Sequence, residues 1–177
     1  LQHLSGIATL TSQFCDVVRM YSVQIAATRK TTPGLRYLEK WAVTVGGGAP
    51  HRQNLSDGIL IKDNHLALCG GDVALACRQA REFAAPGLQI EVEVDSLDQL
   101  QAALAGSADI VLLDNMTVAD VALAVKLAKG KAVLEVSGGI TLDNVLDYAV
   151  LGPDIISVGA LTQSAPALPM SLDFVSL

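Results

Sequence analysis

The regular alternation of short apolar segments with amphipathic ones is the feature that most constrains the fold of this chain. The segments that we predict to be strands are 22–27, 58–62, 88–95, 108–113, 132–136 and 154–158. Apolar residues at helical spacing follow each of the first five strands, and another amphipathic helix precedes the first. Strands that alternate with helices predict right-handed βαβ units, a parallel sheet and an α/β fold.

Residues suited to binding follow nearly every predicted strand. They lie at 28–30, 62–65, 93–95, 114–115, 137–139 and 159. An open doubly wound sheet binds its ligand at one switch point, whereas a barrel brings the carboxyl ends of all its strands to one site. The distribution favours a barrel, while the periodicity alone leaves open whether the sheet closes.

Length, composition and charge limit the class of protein. The 177 residues fit one domain, and 51% hydrophobic but only 4% aromatic residues predict a core of small aliphatic side chains. The net charge is −6, yet the first 62 residues carry +4 and the remainder −10. An acidic chain is a poor nucleic-acid binder, although a local basic cluster could hold a small anion. The longest uncharged run, 155–172, contains prolines and polar residues, so we expect no membrane span and a cytoplasmic protein.

Basic residues concentrate at three places in the first part of the chain. The apolar strand at 58–62 ends abruptly in Lys62, which indicates either a solvated turn or the edge of a site. The polar loop 28–34 contains Arg29 and Lys30, and a glycine-rich loop ends in His51 and Arg52. Together these residues predict an anion-binding rim.

Acidic residues share one face of the strand at 88–95. The period of two places Glu91, Glu93 and Asp95 together, either on a solvated edge or in the lumen of a barrel. Asp114 ends the next strand, so Glu93 and Asp114 would be neighbours at one rim. Two carboxylates there suit Mg²⁺, which binds through one or two protein carboxylates plus a phosphorylated substrate.

Glycines follow the last two strands. Ser137, Gly138 and Gly139 open a helix, where free amides can bind phosphate, although a plain tight turn fits the same residues. Gly159 strengthens the phosphate interpretation, because barrels often seat a phosphate between their last two loops.

Two local patterns predict the buried face of one helix and the N-terminal caps of two others. The helix after Gly34 is expected to turn Leu35, Leu38 and Trp41 inward. Capping boxes are predicted at Ser96-x-x-Gln99 and Thr117-x-x-Asp120. The chain has three Cys residues without a Cys-x-x-Cys pair, which argues against a disulfide framework or a structural zinc site.

The order and spacing of these motifs resemble one family, quinolinate phosphoribosyltransferase (nicotinate-nucleotide pyrophosphorylase, decarboxylating). The matching segments are 28–34, 51–52, 62–65, 91–93, 112–115, 137–141 and 157–162. The resemblance implies a TIM-like open α/β barrel of about six or seven βα units. It also implies a glycosyltransferase that joins quinolinate to phosphoribosyl pyrophosphate, giving nicotinate mononucleotide, pyrophosphate and CO₂ in NAD biosynthesis.

The resemblance also implies roles for individual residues. Catalysis would fall to Lys30, Lys62, Glu93 and Asp114. Quinolinate would bind to Arg29, Lys30, His51, Arg52 and Lys62. Phosphoribosyl pyrophosphate would bind to Glu93, Asp114, Ser137, Gly138, Gly139 and Gly159, and Mg²⁺ to Glu93 and Asp114.

The family also has an N-terminal sandwich domain that supplies an Arg to the neighbouring active site of a dimer. Residues 1–177 correspond to the barrel domain alone, so we expect a homodimer or higher homo-oligomer and weak or no activity for this piece by itself. Three alternatives stay open: a molybdenum-transport-associated paralogue, a non-catalytic phosphate-ligand-binding or dimerisation barrel, and a generic barrel isomerase or lyase.

Overall fold

Six parallel strands form one sheet in residues 1–175, the part of the chain that the computed structural model describes. The strands are β1 (Gln24–Ala26), β2 (Ile59–Ile61), β3 (Ile90–Val94), β4 (Ile110–Asp114), β5 (Val133–Ser137) and β6 (Ile155–Ser157). The helices are α1 (Gln2–Val18), α2 (Arg36–Val45), α3 (Asp63–Leu68), α4 (Val73–Phe83), α5 (Leu97–Ala105), α6 (Val118–Ala128), α7 (Val145–Ala149) and α8 (Ala160–Gln163). Each predicted strand is present: β1, β2, β3 and β6 are shorter than predicted at both ends, whereas β4 and β5 begin later and end one residue later than predicted.

The strand order β1-β6-β5-β4-β3-β2 places β1 and β2 at opposite edges of the sheet. Residues at or just after all six strands line one cavity, so the sheet curves around it. Within residues 1–175 the two edge strands do not pair with each other, and the β1 edge is extended only by a bridge from Ala26 to Ala49. The predicted TIM-like open α/β barrel of parallel strands is therefore confirmed.

The core lies between the strands and the helices that surround them. In β3, Ile90, Val92 and Val94 are almost fully buried on the helix side. In β4, Val111 and Leu113 are buried on the helix side, while Leu112 turns to the cavity. An apolar outer face and a mixed inner face are what a barrel strand requires, because helices cover one side and the lumen the other.

The predicted orientation of α2 is wrong. Leu38 and Trp41 are 43% and 58% exposed, and the buried face carries Glu39, Lys40 and Val43 instead. Apolar spacing marked the wrong stripe of the helix, because the buried charges have specific partners in the loops beside them. These partners belong to the cavity and are described below.

The termini of the helices follow the sequence patterns in part. Thr117 caps α6 as predicted, and its Oγ1 accepts the Asp120 N–H at 3.2 Å. The capping box predicted at Ser96 and Gln99 is not formed: Ser96 is the N-cap of α5, but its side chain makes no capping bond, and Gln99 accepts the N–H of Asp95. The short helix α3 was not predicted. No helix in the described part of the chain is both long and apolar enough to span a membrane.

Candidate functional site

A cavity of about 680 Å³ opens at the carboxyl ends of the strands. All of the residues predicted from the sequence to bind substrate or metal line it: Arg29, Lys30, His51, Arg52, Lys62, Glu93, Asp114, Ser137, Gly138, Gly139 and Gly159. They come from seven separate segments of the chain, and the curvature of the sheet brings them together. Asp95 is exposed and does not line the cavity, because β3 ends before it.

The acidic and glycine-rich side of the cavity is built on central strands. Asp114 pairs with Ser137 in the ladder between β4 and β5, which places a carboxylate beside the start of the glycine loop. Asn115 has a left-handed backbone (φ 53°), and its Nδ2 donates to Oδ2 of Asp114 at 2.9 Å. Gly138 (φ 98°) packs so closely on Asn115 that a Cβ would overlap the Asn115 amide. Backbone geometry therefore requires glycine at this position.

An ion pair joins the acidic and basic sides. Lys62 Nζ contacts Oε2 of Glu93, and the Glu93 side chain is 19% exposed. The backbone N–H of Lys62 donates to Nδ1 of His65 at 2.9 Å, which fixes the turn from β2 into α3. Lys62 thus faces the cavity, while His65 acts in capping α3.

Side chains of α2 hold the basic loop 28–34 through hydrogen bonds. The fully buried Glu39 accepts the N–H of Thr32 at 3.0 Å and contacts His3 Nε2 at 2.7 Å. Burial would raise the pKa of Glu39, but these hydrogen bonds lower it by more. Arg36 adds two bonds to the same loop, to Thr31 Oγ1 at 2.9 Å and to the Arg29 carbonyl at 3.2 Å.

The second basic loop is held by the neighbouring residue of α2. Lys40 is 1% exposed and its ammonium contacts the carbonyl of Pro50, immediately before His51. Burial, together with the positive charges of Arg36, Arg29 and Arg52, lowers the pKa of Lys40 to about 8. The buried charges of α2 therefore connect directly to the loops that carry the predicted carboxylate-binding residues.

Three titratable side chains form the floor of the cavity. His51 Nε2 lies 2.8 Å from Oε2 of Glu135, and Glu91 is adjacent to both. Glu91 and Glu135 are 3% and 2% exposed. Burial and the charge of Glu135 raise the pKa of Glu91 to about 7. Burial would lower the pKa of His51, but its bond to Glu135 and the two carboxylate charges raise it by more.

The geometry of His51 argues against a metal at this floor. Ligand atoms of His51, Glu91 and Glu135 lie within 4.8 Å of one another, close enough to share an ion. However, His51 Nδ1 accepts the N–H of Arg52 at 2.7 Å, so the ring proton of the neutral form is on Nε2 and points at Glu135. Neither ring nitrogen then has a lone pair available for a metal.

Four residues that line the same cavity each have a buried polar atom without a protein partner. Among residues 1–175 these atoms are Arg29 Nε, Arg52 Nε, Glu91 Oε1 and Ser157 Oγ. All four residues line the 680 Å³ cavity. Buried donors and acceptors are almost always satisfied, so several unsatisfied ones around one cavity are what a site for water or a polar ligand shows.

Sequence reasoning missed several residues of this cavity. Glu135, Ser157 and Gln163 line it without an assigned role, and Glu91 was placed on the right face without one. The period of two would have found Glu135, which lies two residues before Ser137, and Ser157, which lies two before Gly159. Nothing in the local sequence marks Gln163, whose amide reaches Gly159 from α8.

Comparisons with known proteins identify relatives over nearly the whole chain. A family model described as "Quinolinate phosphoribosyl transferase, C-terminal domain" matches residues 7–173. The nicotinate-nucleotide pyrophosphorylase (carboxylating) of Mycobacterium leprae is 50% identical over 174 residues, which cover 97% of this chain and 61% of that protein. The probable nicotinate-nucleotide pyrophosphorylase (carboxylating) of Bacillus subtilis is 44% identical over 173 residues, covering 98% and 60%.

The structural comparison agrees with the sequence comparison. The crystal structure of nicotinate-nucleotide pyrophosphorylase from Ehrlichia chaffeensis matches with a TM-score of 0.90 and 45% identity, over 95% of this chain and 61% of that one. The chain therefore spans about three fifths of the length of these relatives.

Proposed function

Because this chain belongs to the quinolinate phosphoribosyl transferase C-terminal domain family, we propose that its cavity transfers a phosphoribosyl group from phosphoribosyl pyrophosphate to quinolinate, with loss of CO₂. The products are nicotinate mononucleotide and pyrophosphate. The relatives named nicotinate-nucleotide pyrophosphorylase support the assignment. The observation that carries it is a single cavity with a basic side and an acidic side, lined by four residues whose buried polar atoms have no protein partner.

The basic side suits a planar dicarboxylate. Arg29 and Arg52 each present a buried Nε without a protein partner, and Lys62 and Lys30 line the same cavity. Two guanidinium groups can bind two carboxylates through charge-assisted hydrogen bonds, which are shorter and stronger than neutral ones. Burial and the neighbouring Arg36 and Arg52 lower the pKa of Arg29, which indicates a crowded cationic site that an anion would stabilise.

The opposite side suits the phosphoribosyl donor. The glycine loop at 138–139 and Gly159 allow a phosphate to approach the backbone closely, and Gly159 is the N-cap of α8. The glycine loop does not itself open a helix as predicted, because α7 begins only at Val145. Glu93 and Asp114 lie between the phosphate loop and the basic side, where they can accept hydrogen bonds from ribose hydroxyls. This arrangement would present C1 of the ribose to the pyridine nitrogen.

The residues fit the chemistry of both steps. The pyridine nitrogen attacks C1 of the ribose, the bond from C1 to pyrophosphate breaks, and cationic side chains stabilise the charge on the leaving group. The C2 carboxylate then leaves as CO₂, its electron pair stays on C2 beside the positively charged nitrogen, and a proton completes the product. Arg29, Arg52 and Lys62 hold the carboxylates and orient the ring for both steps.

Glu93 and Asp114 would hold Mg²⁺. Both are partly exposed carboxylates at the mouth of the cavity, and an all-oxygen donor set of this kind is what Mg²⁺ prefers. The ion would supply neutralisation of the pyrophosphate charge. A homodimer and a cytoplasmic location belong to the same proposal, on the support of the family resemblance alone.

Calorimetric titration tests the proposal. We expect quinolinate to bind the protein, and nicotinate, which lacks the second carboxylate, to bind at least about tenfold more weakly. Arg29→Ala should lower the affinity for quinolinate by about 100-fold, because a buried carboxylate of the substrate would lose a charge-assisted hydrogen bond. Equal affinities for quinolinate and nicotinate would contradict the proposal.

Activity is assayed as pyrophosphate release from phosphoribosyl pyrophosphate, with and without quinolinate. The Bacillus subtilis relative serves as a parallel positive control. A protein that binds ribose 5-phosphate but neither binds nor turns over quinolinate would be a phosphate-ligand-binding barrel rather than a transferase.

A further inference from the structure

We propose that Glu135 is a positioning residue that sets the carboxylate-binding geometry of Arg52 through the ring of His51. The inference rests on the proposed function, because it concerns how the same site holds quinolinate. It also assigns His51 a different role from the one that the family resemblance implies. His51 would hold its neighbour in place rather than bind a substrate carboxylate itself.

The first step of the relay is the contact between Glu135 and His51. Glu135 is held in the middle of β5, paired on both sides by β4 and β6, so its position is rigid. Its Oε2 accepts the Nε2 proton of His51 at 2.8 Å, and the residue is only 2% exposed. A strand in the centre of the sheet therefore determines the orientation of a ring that belongs to a loop.

The second step is the contact between His51 and Arg52. The His51 backbone is in the left-handed region (φ 54°), which is uncommon for a residue with a side chain and is retained only when the surroundings hold it. In this conformation His51 Nδ1 accepts the N–H of Arg52 at 2.7 Å. With one nitrogen bonded to Glu135 and the other to Arg52, the ring has no donor left for a substrate carboxylate.

The third step concerns the guanidinium group. Arg52 Nη1 donates to the carbonyl of Gly58 at 3.1 Å, whereas its buried Nε has no protein partner. Arg52 is thus held at its backbone N–H and at Nη1, and the residue lines the cavity. A guanidinium held this way binds a carboxylate without losing further side-chain freedom.

Packing alone would not hold this segment. His51, Arg52 and Glu91 also line a second cavity of about 360 Å³ on the other side of the floor. Residues with open space on two sides lack the close contacts that normally fix a side chain. The hydrogen bonds from Glu135 and Gly58 therefore replace packing as the means of positioning.

Binding measurements on Glu135 variants test the relay. Glu135→Ala is expected to lower the affinity for quinolinate by about tenfold. The affinity for ribose 5-phosphate should change by less than about twofold, because only the basic side depends on the relay. Glu135→Gln keeps an acceptor of the same shape, so it should stay within about threefold of the unaltered protein. Equal losses of quinolinate affinity in both variants would overturn the inference, because they would show that the charge of Glu135 matters and its hydrogen bond to His51 does not.

A double-mutant cycle separates positioning from direct binding. If His51 and Glu135 act through Arg52, then Glu135→Ala or His51→Ala should add less than about twofold to the loss caused by Arg52→Ala. Additive losses would show that His51 binds the substrate itself and would overturn the inference. His51→Ala also provides the comparison should Glu135→Ala fail to fold.

Nuclear magnetic resonance of the histidine rings tests the relay without any substrate. His51→Gln assigns the His51 signals among the three histidines. At a pH above the raised pKa of His51, we expect a neutral His51 ring with its proton on Nε2, and a change of those signals in Glu135→Ala but not in Glu135→Gln. Unchanged signals in Glu135→Ala would overturn the inference. Absence of quinolinate binding to a protein with the expected signals would refute the proposed function instead.

Discussion

The two sides of the cavity are built by different means. On the acidic and glycine-rich side, Glu93, Asp114 and Ser137 are members of β3, β4 and β5, and the ladder of the sheet sets their spacing. On the basic side, Arg29 and Arg52 lie in loops beside the open edges of the sheet. There the positions depend on buried charged side chains, namely Glu39, Lys40 and Glu135.

The comparison shows why the loops of the basic side need buried charged side chains to hold them. A strand residue needs no side-chain partner to keep its place, since its neighbours on both sides bond its backbone. A loop residue needs one, and burial of a charge is tolerated when hydrogen bonds satisfy it. Because β1 and β2 do not pair, helix α2 and the strand residue Glu135 hold the loops that carry Arg29 and Arg52.

The largest expected effect separates the two sides by function. Where the N-terminal domain of the family is also present, Asp114→Asn should lower the rate of pyrophosphate release by about 100-fold, close to 3 kcal/mol, because the carboxylate that we propose for the ribose and Mg²⁺ is lost. Quinolinate affinity should change by less than about threefold, since Asp114 lies away from the basic side. Arg29→Ala is the matched variant, for which the main expected effect is the loss of quinolinate affinity. A loss of quinolinate binding in Asp114→Asn as large as that in Arg29→Ala would break the division.

Backbone geometry on the glycine side comes next. Gly138→Ala should lower the free energy of unfolding by about 2–3 kcal/mol, because a Cβ would both strain a positive φ and overlap Asn115. Gly152→Ala is the control, with φ 83° and open space around the added Cβ. That variant should lose only about 1 kcal/mol by urea unfolding. Equal losses would mean that the contact with Asn115 is not tight.

The basic side should respond to pH through Lys40. The pKa of Lys40 is about 8 in the folded protein against an ordinary 10.5, so the unfolded chain binds more protons between these values. Stability should therefore rise as pH increases from about 8 to 10.5, by roughly 1–3 kcal/mol from this residue. Below pH 8 the full cost of the buried charge is present.

Urea unfolding at pH 7 and at pH 10 measures this contribution. Lys40→Met should reduce the rise in stability, and the exposed Lys126→Met on α6 should leave it unchanged. The same rise in both variants would assign the pH dependence to other groups.

The smallest expected effect concerns the orientation of α2, which places the buried charges. Val43 is fully buried and Val45 is 61% exposed on the same helix. Val43→Ala should cost about 1–2 kcal/mol of unfolding free energy and Val45→Ala less than about 0.5 kcal/mol. The reverse order in thermal or urea unfolding would restore the orientation expected from the apolar pattern.

Patterns along the chain were sufficient for the strands and for the residues that follow them. Apolar runs such as 110–113, placed between amphipathic helices, are typical of buried parallel strands, and parallel strands bring their carboxyl ends to one edge of the sheet. For this reason Lys62, Glu93, Asp114 and Ser137 could be assigned to one cavity before any coordinates. The roles of individual residues toward quinolinate, phosphoribosyl pyrophosphate and Mg²⁺ stay predictions.

Patterns were insufficient wherever a polar group is buried. Leu38 and Trp41 of α2 were expected to be buried because apolar residues usually are. Glu39 and Lys40 are buried instead, and each bonds to a residue more than six positions away in the chain. The short helix α3 was missed because its start depends on a bond from Lys62 to His65. Such partnerships carry no periodic signal.

The sequence by itself determined the parallel βα order and the side of the sheet on which the polar residues gather, because both follow from the local periods of helix and strand. Only the tertiary structure decided that the barrel stays open between β1 and β2 and that Glu135 lies against His51. A contact between residues 84 positions apart depends on the curvature of the whole sheet, which no local pattern encodes.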